Sequence, residues 1–99
     1  MSKLLDLFEQ VRDENLNKEQ LEDLHAKMAR LRADVKLELA GILKKKAMYL
    51  LPNPELPTTA VERKWRATNE GQREIELKSY VSACGDHLDS LKTRIYSLL

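Results

Sequence analysis

The sequence contains few of the residues that interrupt helices or crosslink a chain. Of its 99 residues, three are glycine, three are proline and one, Cys84, is cysteine, so an internal disulfide is excluded. Only five residues are aromatic, whereas a third are charged. This composition favours long helices over a compact α/β domain. A single cysteine is typical of a reducing compartment, and we therefore expect a cytoplasmic protein.

Long apolar runs are also missing. No segment approaches the roughly 18–20 apolar residues that cross a bilayer, and the first ten residues, MSKLLDLFEQ, lack the features of a signal peptide. The sequence has no glycine-rich phosphate loop, no His/Cys metal spacing and no nucleophile motif. We therefore expect no enzymatic activity, no cofactor, no metal and no contact with a membrane.

Charge is distributed unevenly along the chain although the net charge is only +1. Residues 1–26 contain seven acidic and three basic residues, a net charge of −4, whereas residues 27–51 contain seven basic and two acidic residues, a net charge of +5. A chain with this polarity is suited to attract either a polyanion or the acidic end of a neighbouring copy.

The spacing of apolar residues predicts an all-α fold in one domain spanning residues 1–99. A short helix is expected over 2–14 and a long one over 18–51, begun by Asn17 as cap with Gln20 closing a capping box. Three prolines predict a loop over 52–58, and a second long helix follows over 59–98. In the first long helix, one apolar stripe recurs every three or four residues: Leu21, Leu24, Met28, Leu31, Val35, Leu39 and Ile42.

The second long helix carries a regular heptad seam. Its members, spaced alternately four and three residues apart, are Leu77, Val81, Cys84, Leu88, Leu91, Ile95 and Leu98. Two amphipathic helices joined by a short loop should pack as an antiparallel, coiled-coil-like hairpin. Because such a thin hairpin buries little surface per residue, we also expect a homo-oligomer. Gly71 and the polar residues around it predict a soft joint within the second helix.

The loop end of this hairpin should be basic and aromatic. Folding at 52–58 brings together Lys44, Lys45, Lys46, Tyr49, Arg63, Lys64, Trp65 and Arg66. Cations that follow phosphates, with aromatic rings that stack on bases, are typical of proteins that bind single-stranded nucleic acid. An alternative stays open for the tryptophan, since Trp65 is equally suited to pack against Tyr49 and Leu51 and close the hairpin.

The C-terminal two-thirds of the chain resembles a family of small helical phage proteins. The segment RATNEGQREIELKSYVSACGDHLDSLKTRIYSLL is similar to the C-terminal helix of the UvsY-type recombination mediators, including a motif of the form L-D-x-[IL]-K-x-R at residues 88–94. The segment MARLRADVKLELAGILKKKAMYLL is similar to their charged long helix. Where the family has an aromatic-Tyr-Gly turn, this chain has Tyr49-Leu50-Leu51-Pro52.

Two functions follow as hypotheses. The resemblance implies an oligomeric accessory recombination protein that binds single-stranded DNA and helps to load or organise a recombinase or annealing protein. The alternative is a helical protein-interaction module, such as an adaptor or a phage-encoded inhibitor of a host or defence complex, whose charge polarity addresses a protein partner.

Overall fold

The computed structural model describes the backbone of residues 2–50 and 58–99. These residues form four helices, α1 (Ser2–Val11), α2 (Lys18–Leu50), α3 (Thr58–Arg66) and α4 (Asn69–Ser97), and no strand occurs in these two ranges. The predicted loop over 52–58 lies outside the described residues except for Thr58, which begins α3. The molecule is a rod of 58 × 23 × 17 Å, and the all-α prediction is confirmed.

Helices α2 and α4 pack against each other in antiparallel orientation. Near the loop end, Lys46 of α2 contacts Glu74 of α4. Halfway along, the Arg32 side chain lies against Gly85. Residue numbers therefore fall along α2 as they rise along α4, which is the predicted hairpin. A bidentate ion pair between Glu38 and Arg73, with 2.9 Å between the closest atoms, also joins the two helices.

The core lies between the two predicted apolar stripes. In α2 the buried positions are Leu21, Leu24, Met28, Val35 and Ile42, with Leu31 and Leu39 partly buried. In α4 the degree of burial alternates along the seam. Leu77, Cys84 and Leu91 are fully buried, whereas Val81, Leu88 and Ile95 are partly buried. This alternation arises because a second helix covers only one line of heptad positions completely. Leu98 was predicted to continue the seam, but it is exposed, because α4 ends at Ser97 and the core does not reach beyond it.

The prediction of one continuous helix over 59–98 is wrong. Helix α3 ends at Arg66 and α4 begins at Asn69, after a turn at Ala67 and Thr68. The Thr68 hydroxyl donates a hydrogen bond to the Trp65 carbonyl at 2.6 Å and accepts one from the Gly71 amide at 3.0 Å. Thr68 thus ends α3 and caps α4. Threonine is suited to this position because its hydroxyl can bond to nearby backbone groups in place of the helical hydrogen bonds.

Gly71 has a different role from the predicted soft joint. It is buried at the start of α4, and a methyl group built at this position would overlap with the backbone carbonyl of Trp65. Glycine is therefore required here because the end of α3 approaches the first turn of α4 closely. The bend is held by packing and does not reflect local softness.

The start of α2 and the docking of α1 complete the fold. Asn17 and Gln20 exchange reciprocal side-chain to backbone hydrogen bonds of 2.9 and 2.8 Å, so the predicted capping box is confirmed. Helix α1 ends at Val11, three residues before its predicted end at residue 14, and Arg94 of α4 donates hydrogen bonds to the carbonyls of Val11 and Asp13. Those bonds satisfy carbonyls left free where α1 stops.

A candidate nucleic-acid interface at the loop end

The end of α2, all of α3 and the start of α4 meet at one end of the rod. Here Tyr49 of α2 packs on Trp65 of α3, with ring centroids 5.5 Å apart and the planes tilted by 57°. Lys46 and Arg66 line one depression in the surface. The structure therefore brings the end of α2 and the predicted residues of α3 to the same end of the molecule.

Trp65 is the centre of this end, and it faces inward. Its side chain is 3% exposed and belongs to the hydrophobic core. The indole Nε1 donates a hydrogen bond to Glu74 Oε1 at 2.9 Å, which satisfies the one polar atom of a ring otherwise suited to burial. Trp65 therefore attaches α3 to both long helices. The alternative role, in which Trp65 closes the hairpin, agrees with its contact with Tyr49, whereas Leu51 lies outside the described residues.

Glu74 is the buried acid that holds this arrangement together. It is 5% exposed, and besides the indole it binds Lys78 Nζ at 2.8 Å and Lys46 Nζ at 3.3 Å. Burial by itself raises the pKa of this carboxyl, but hydrogen bonds from Lys78, Trp65 and Lys46 lower it to about 2. Glu74 is therefore ionised at neutral pH, and each of its oxygens has a donor, as a buried charge requires.

The three consecutive lysines of α2 have different environments. Lys46 is partly buried and is paired with Glu74, so it is part of the internal network. Lys44 and Lys45 are exposed, as are Arg63, Lys64 and Arg66 of α3. None of these five forms an ion pair with a residue that the structure describes. The surface of the loop end therefore presents five cations, which we call the tip cations.

Aromatic rings at the tip are less available than the sequence suggests. Stacking a base on Trp65 requires α3 to move away from the hairpin, since the ring is buried. Tyr49 is 37% exposed and lies against Trp65. Among the predicted site residues, Tyr49 therefore carries the aromatic ring that a base can reach without a change of fold.

The described residues give little support to a reactive thiol, a metal site or a membrane-spanning helix. Cys84 is buried within the hairpin, and burial raises the pKa of its thiol, which keeps the reactive thiolate scarce. The His87 ring packs on Phe8 at a centroid distance of 4.5 Å. Among residues 2–50 and 58–99, no group of three or more His, Cys, Asp or Glu side chains is placed to hold a metal ion. Within those ranges, no helix has both the length and the apolarity to cross a membrane.

Sequence reasoning missed two residues that organise the molecule, Glu74 and Arg94. Both are charged residues on a charged helix. The partners of Glu74 include Lys46 on α2 and Trp65 across the turn, and Arg94 bonds to the end of α1. The spacing of Glu74 and Lys78, four residues apart, was the only local signal for the first. Arg94 belongs to the motif that carries the family resemblance, and here it contacts the end of α1.

No protein-family model, no curated protein and no solved structure matches the chain.

Proposed function

We propose that the chain is a non-enzymatic accessory recombination protein that binds single-stranded DNA through the tip cations. In this proposal it helps to load or organise a recombinase or annealing protein, and it acts in the cytoplasm, which is the host cytoplasm if the chain is phage-encoded. The observation that carries the proposal is the set of five exposed cations at one end of a narrow rod. The role beside a recombinase rests on the resemblance to UvsY-type mediators.

Phosphates are the ligand that best suits this surface. Lysine and arginine that neutralise phosphates release condensed counterions, which gives affinity without dependence on base sequence. The tip cations belong to two elements, α2 and α3, that the Trp65 contacts hold in a fixed relation. A strand crossing this end is therefore bound along its backbone, with Tyr49 as the ring on which one base stacks.

The test is a titration of fluorescent single-stranded oligonucleotides of several base compositions at several salt concentrations. Changing Lys44 and Lys45 together to Gln should weaken binding equally for all sequences. If both lysines contact phosphates, the slope of log affinity against log salt should fall by about 1.4, or 0.7 for each contact. The matched control is Lys18→Gln with Lys27→Gln, which removes two exposed lysines of the same helix that lie far from the loop end and are paired with Glu22 and Asp23, and it should leave binding almost unchanged.

The contribution of stacking is measured separately. Tyr49→Ala should cost roughly 1–3 kcal/mol of binding free energy without changing the salt slope, because stacking releases no counterions. Thermal melts must accompany this variant, since Tyr49 also packs on Trp65. If the wild-type protein shows no affinity for single strands at low salt, the DNA-binding proposal is wrong.

A protein-interaction module is the second candidate, and the burial of Trp65 favours it. With the indole in the core, the tip retains fewer open rings than a stacking platform usually has. In this case the tip cations would pair with acidic side chains of a protein partner. Binding to an acidic polypeptide together with indifference to single-stranded DNA distinguishes this candidate from the first.

A further inference from the structure

The side of α2 that faces away from α4 is not covered by another helix among the described residues. Helix α2 packs its apolar stripe on α4, and the opposite side is exposed along most of its length. Leu37, in the middle of that side, is 73% exposed. A single exposed leucine is ordinary on a protein surface. Whether this side of α2 is suited to bind a partner therefore depends on the residues around Leu37.

The neighbours of Leu37 form a continuous line. Residues spaced three or four apart lie on one side of a helix, and on this side they are Glu22, Ala26, Ala29, Ala33, Leu37, Ala40 and Lys44. We call these seven residues the outer face of α2. All are exposed, and four of them are alanine, whose short side chain allows another helix to approach closely.

The charges of the outer face are complementary to the same face reversed. Glu22 and Lys44 each lie 11 residues from Ala33, on opposite sides of it. When two copies are placed antiparallel about a two-fold axis at Ala33, each acid therefore faces a lysine. Ala26 and Ala40, seven residues from the axis, then face each other, and Leu37 lies over Ala29.

We propose that the outer face of α2 binds a second copy of this chain in an antiparallel, two-fold symmetric dimer. In this dimer Glu22 lies beside Lys44 of the partner subunit, and Leu37 packs on Ala29 of the partner subunit. The contact is isologous, because the same residues serve on both chains. The wider polarity of the chain supports this orientation, since residues 1–26 carry −4 and residues 27–51 carry +5.

The dimer has a consequence for the loop ends. Because the two α2 helices run in opposite directions, the two sets of tip cations lie at opposite ends of the assembly. Lys44 belongs to both surfaces, but Ala33 and Leu37 do not belong to the tip. Substitutions at Ala33 therefore test the dimer without removing a tip cation, and the two proposals fail independently.

Sedimentation or light scattering over a range of concentrations measures the assembly directly. The wild-type protein should reach twice the chain mass of 11.5 kDa. Ala33→Glu places two like charges at the axis and should give a monomer with unchanged helical content, because residue 33 is exposed in the single chain. Its melting temperature should fall to that of the isolated chain and should no longer depend on protein concentration. The matched control, Ser82→Glu at an exposed position of α4, should remain a dimer.

Charge reversal tests the orientation. Glu22→Lys alone and Lys44→Glu alone each place like charges together in a homodimer and should raise its Kd by about tenfold or more. Mixing the two single variants in equal amounts should restore the dimer, since one chain then carries lysine at both positions and the other carries glutamate at both. A heterologous partner predicts no such rescue. A parallel orientation, which pairs position 22 with 22 and 44 with 44, predicts that neither single variant weakens the dimer relative to the wild type.

Three results overturn the proposal. The first is a wild-type protein that stays monomeric at every concentration. The second is a dimer that survives Ala33→Glu, since the contact must then lie elsewhere. The third is a mixture of the two charge-reversal variants that stays as dissociated as its components, because the antiparallel pairing of Glu22 with Lys44 requires their recovery.

Discussion

Two helical glycines show that the effect of a residue on stability depends on the packing around it. Gly41 lies within α2, and a methyl group at this position would meet no atom of the described residues within 4 Å beyond its own stretch of helix. Gly71 lies in the first turn of α4, where the same methyl group would overlap with the Trp65 carbonyl. Helix propensity treats both glycines alike, whereas the fold requires only the second.

Replacing each glycine by alanine should therefore have opposite effects. Gly41→Ala should raise the free energy of unfolding by roughly 0.5–1 kcal/mol, the gain in helix propensity at an open site. Gly71→Ala should lower it, because α3 must move to accommodate the methyl group. Urea unfolding at low protein concentration measures both. Equal gains in stability for the two variants would contradict the close approach of α3 to α4.

Glu74 makes stability depend on acid. Its pKa is about 2 in the folded chain against an ordinary value near 4.5. Because the folded-state pKa is the lower one, the stabilisation is fully present above pH 4.5 and is lost as the pH falls toward 2. At neutral pH it is on the order of 3 kcal/mol.

The variant Glu74→Gln isolates this effect. Near neutral pH it should be less stable than the wild type, because Lys46 and Lys78 lose their anion. At about pH 3 the difference should shrink, since the wild-type carboxyl gains protons there in the unfolded state. Asp86→Asn, at an exposed position of the same helix that has no ion pair among the described residues, serves as the control. A stability difference that stays constant with pH would show that the Glu74 charge is unimportant.

At the scale of the helices, α1 is held by the apolar side chains of Leu4, Leu7, Phe8 and Val11 and by the guanidinium of Arg94. It buries Leu4 and Val11 against the hairpin, and Arg94 bonds the carbonyls of Val11 and Asp13. A helix of 10 residues is too short to be stable alone in water. Its order therefore depends on these tertiary contacts.

Arg94→Ala should release α1 while the hairpin stays folded. Hydrogen exchange at the amides of α1 should accelerate strongly, while protection at Met28 and Cys84, in the middle of the core, should stay near that of the wild type. Lys92→Ala, two residues away and exposed, is the control. Unchanged exchange in α1 after loss of the guanidinium would show that apolar contacts alone hold this helix.

The helices also show what the sequence could predict. The stripes of α2 and α4 were predictable because burial of one helix face repeats every three or four residues. The Asn17 capping box was predictable because it is entirely local. The break between α3 and α4 was not, because Thr68 and Gly71 act through a contact with Trp65 that becomes visible only once the chain has turned.

The candidate site was predictable in its charge but not in the roles of its members. Folding at the prolines was enough to place the basic residues of α2 and α3 at one end. The sequence left two roles open for Trp65, and burial against Glu74 places the ring in the core. The sequence does not distinguish Lys46 from Lys44 and Lys45, yet the helical turn directs Lys46 to the buried carboxylate of Glu74. Such assignments depend on which helix face meets a neighbour.

The whole molecule is a rod whose stability is distributed along one thin core. Leu91 is fully buried near the open end of the hairpin, while Leu98, the next seam position but one, is 54% exposed. The heptad pattern alone treats these two leucines as equivalent. The structure separates them, because the hairpin core covers the first and ends before the second.

Placing aspartate at each of these positions tests this description of the core. Leu91→Asp buries a charge without a partner and should cost on the order of 5 kcal/mol, which is comparable with the whole unfolding free energy of a small domain. Leu98→Asp should change the free energy of unfolding by no more than about 0.5 kcal/mol, as is usual for an exposed position. Circular dichroism melts of both variants at equal protein concentration provide the measurement. A folded Leu91→Asp protein would mean that the heptad seam is not the core, whereas a large loss from Leu98→Asp would mean that the seam extends beyond α4 into an interface with another chain.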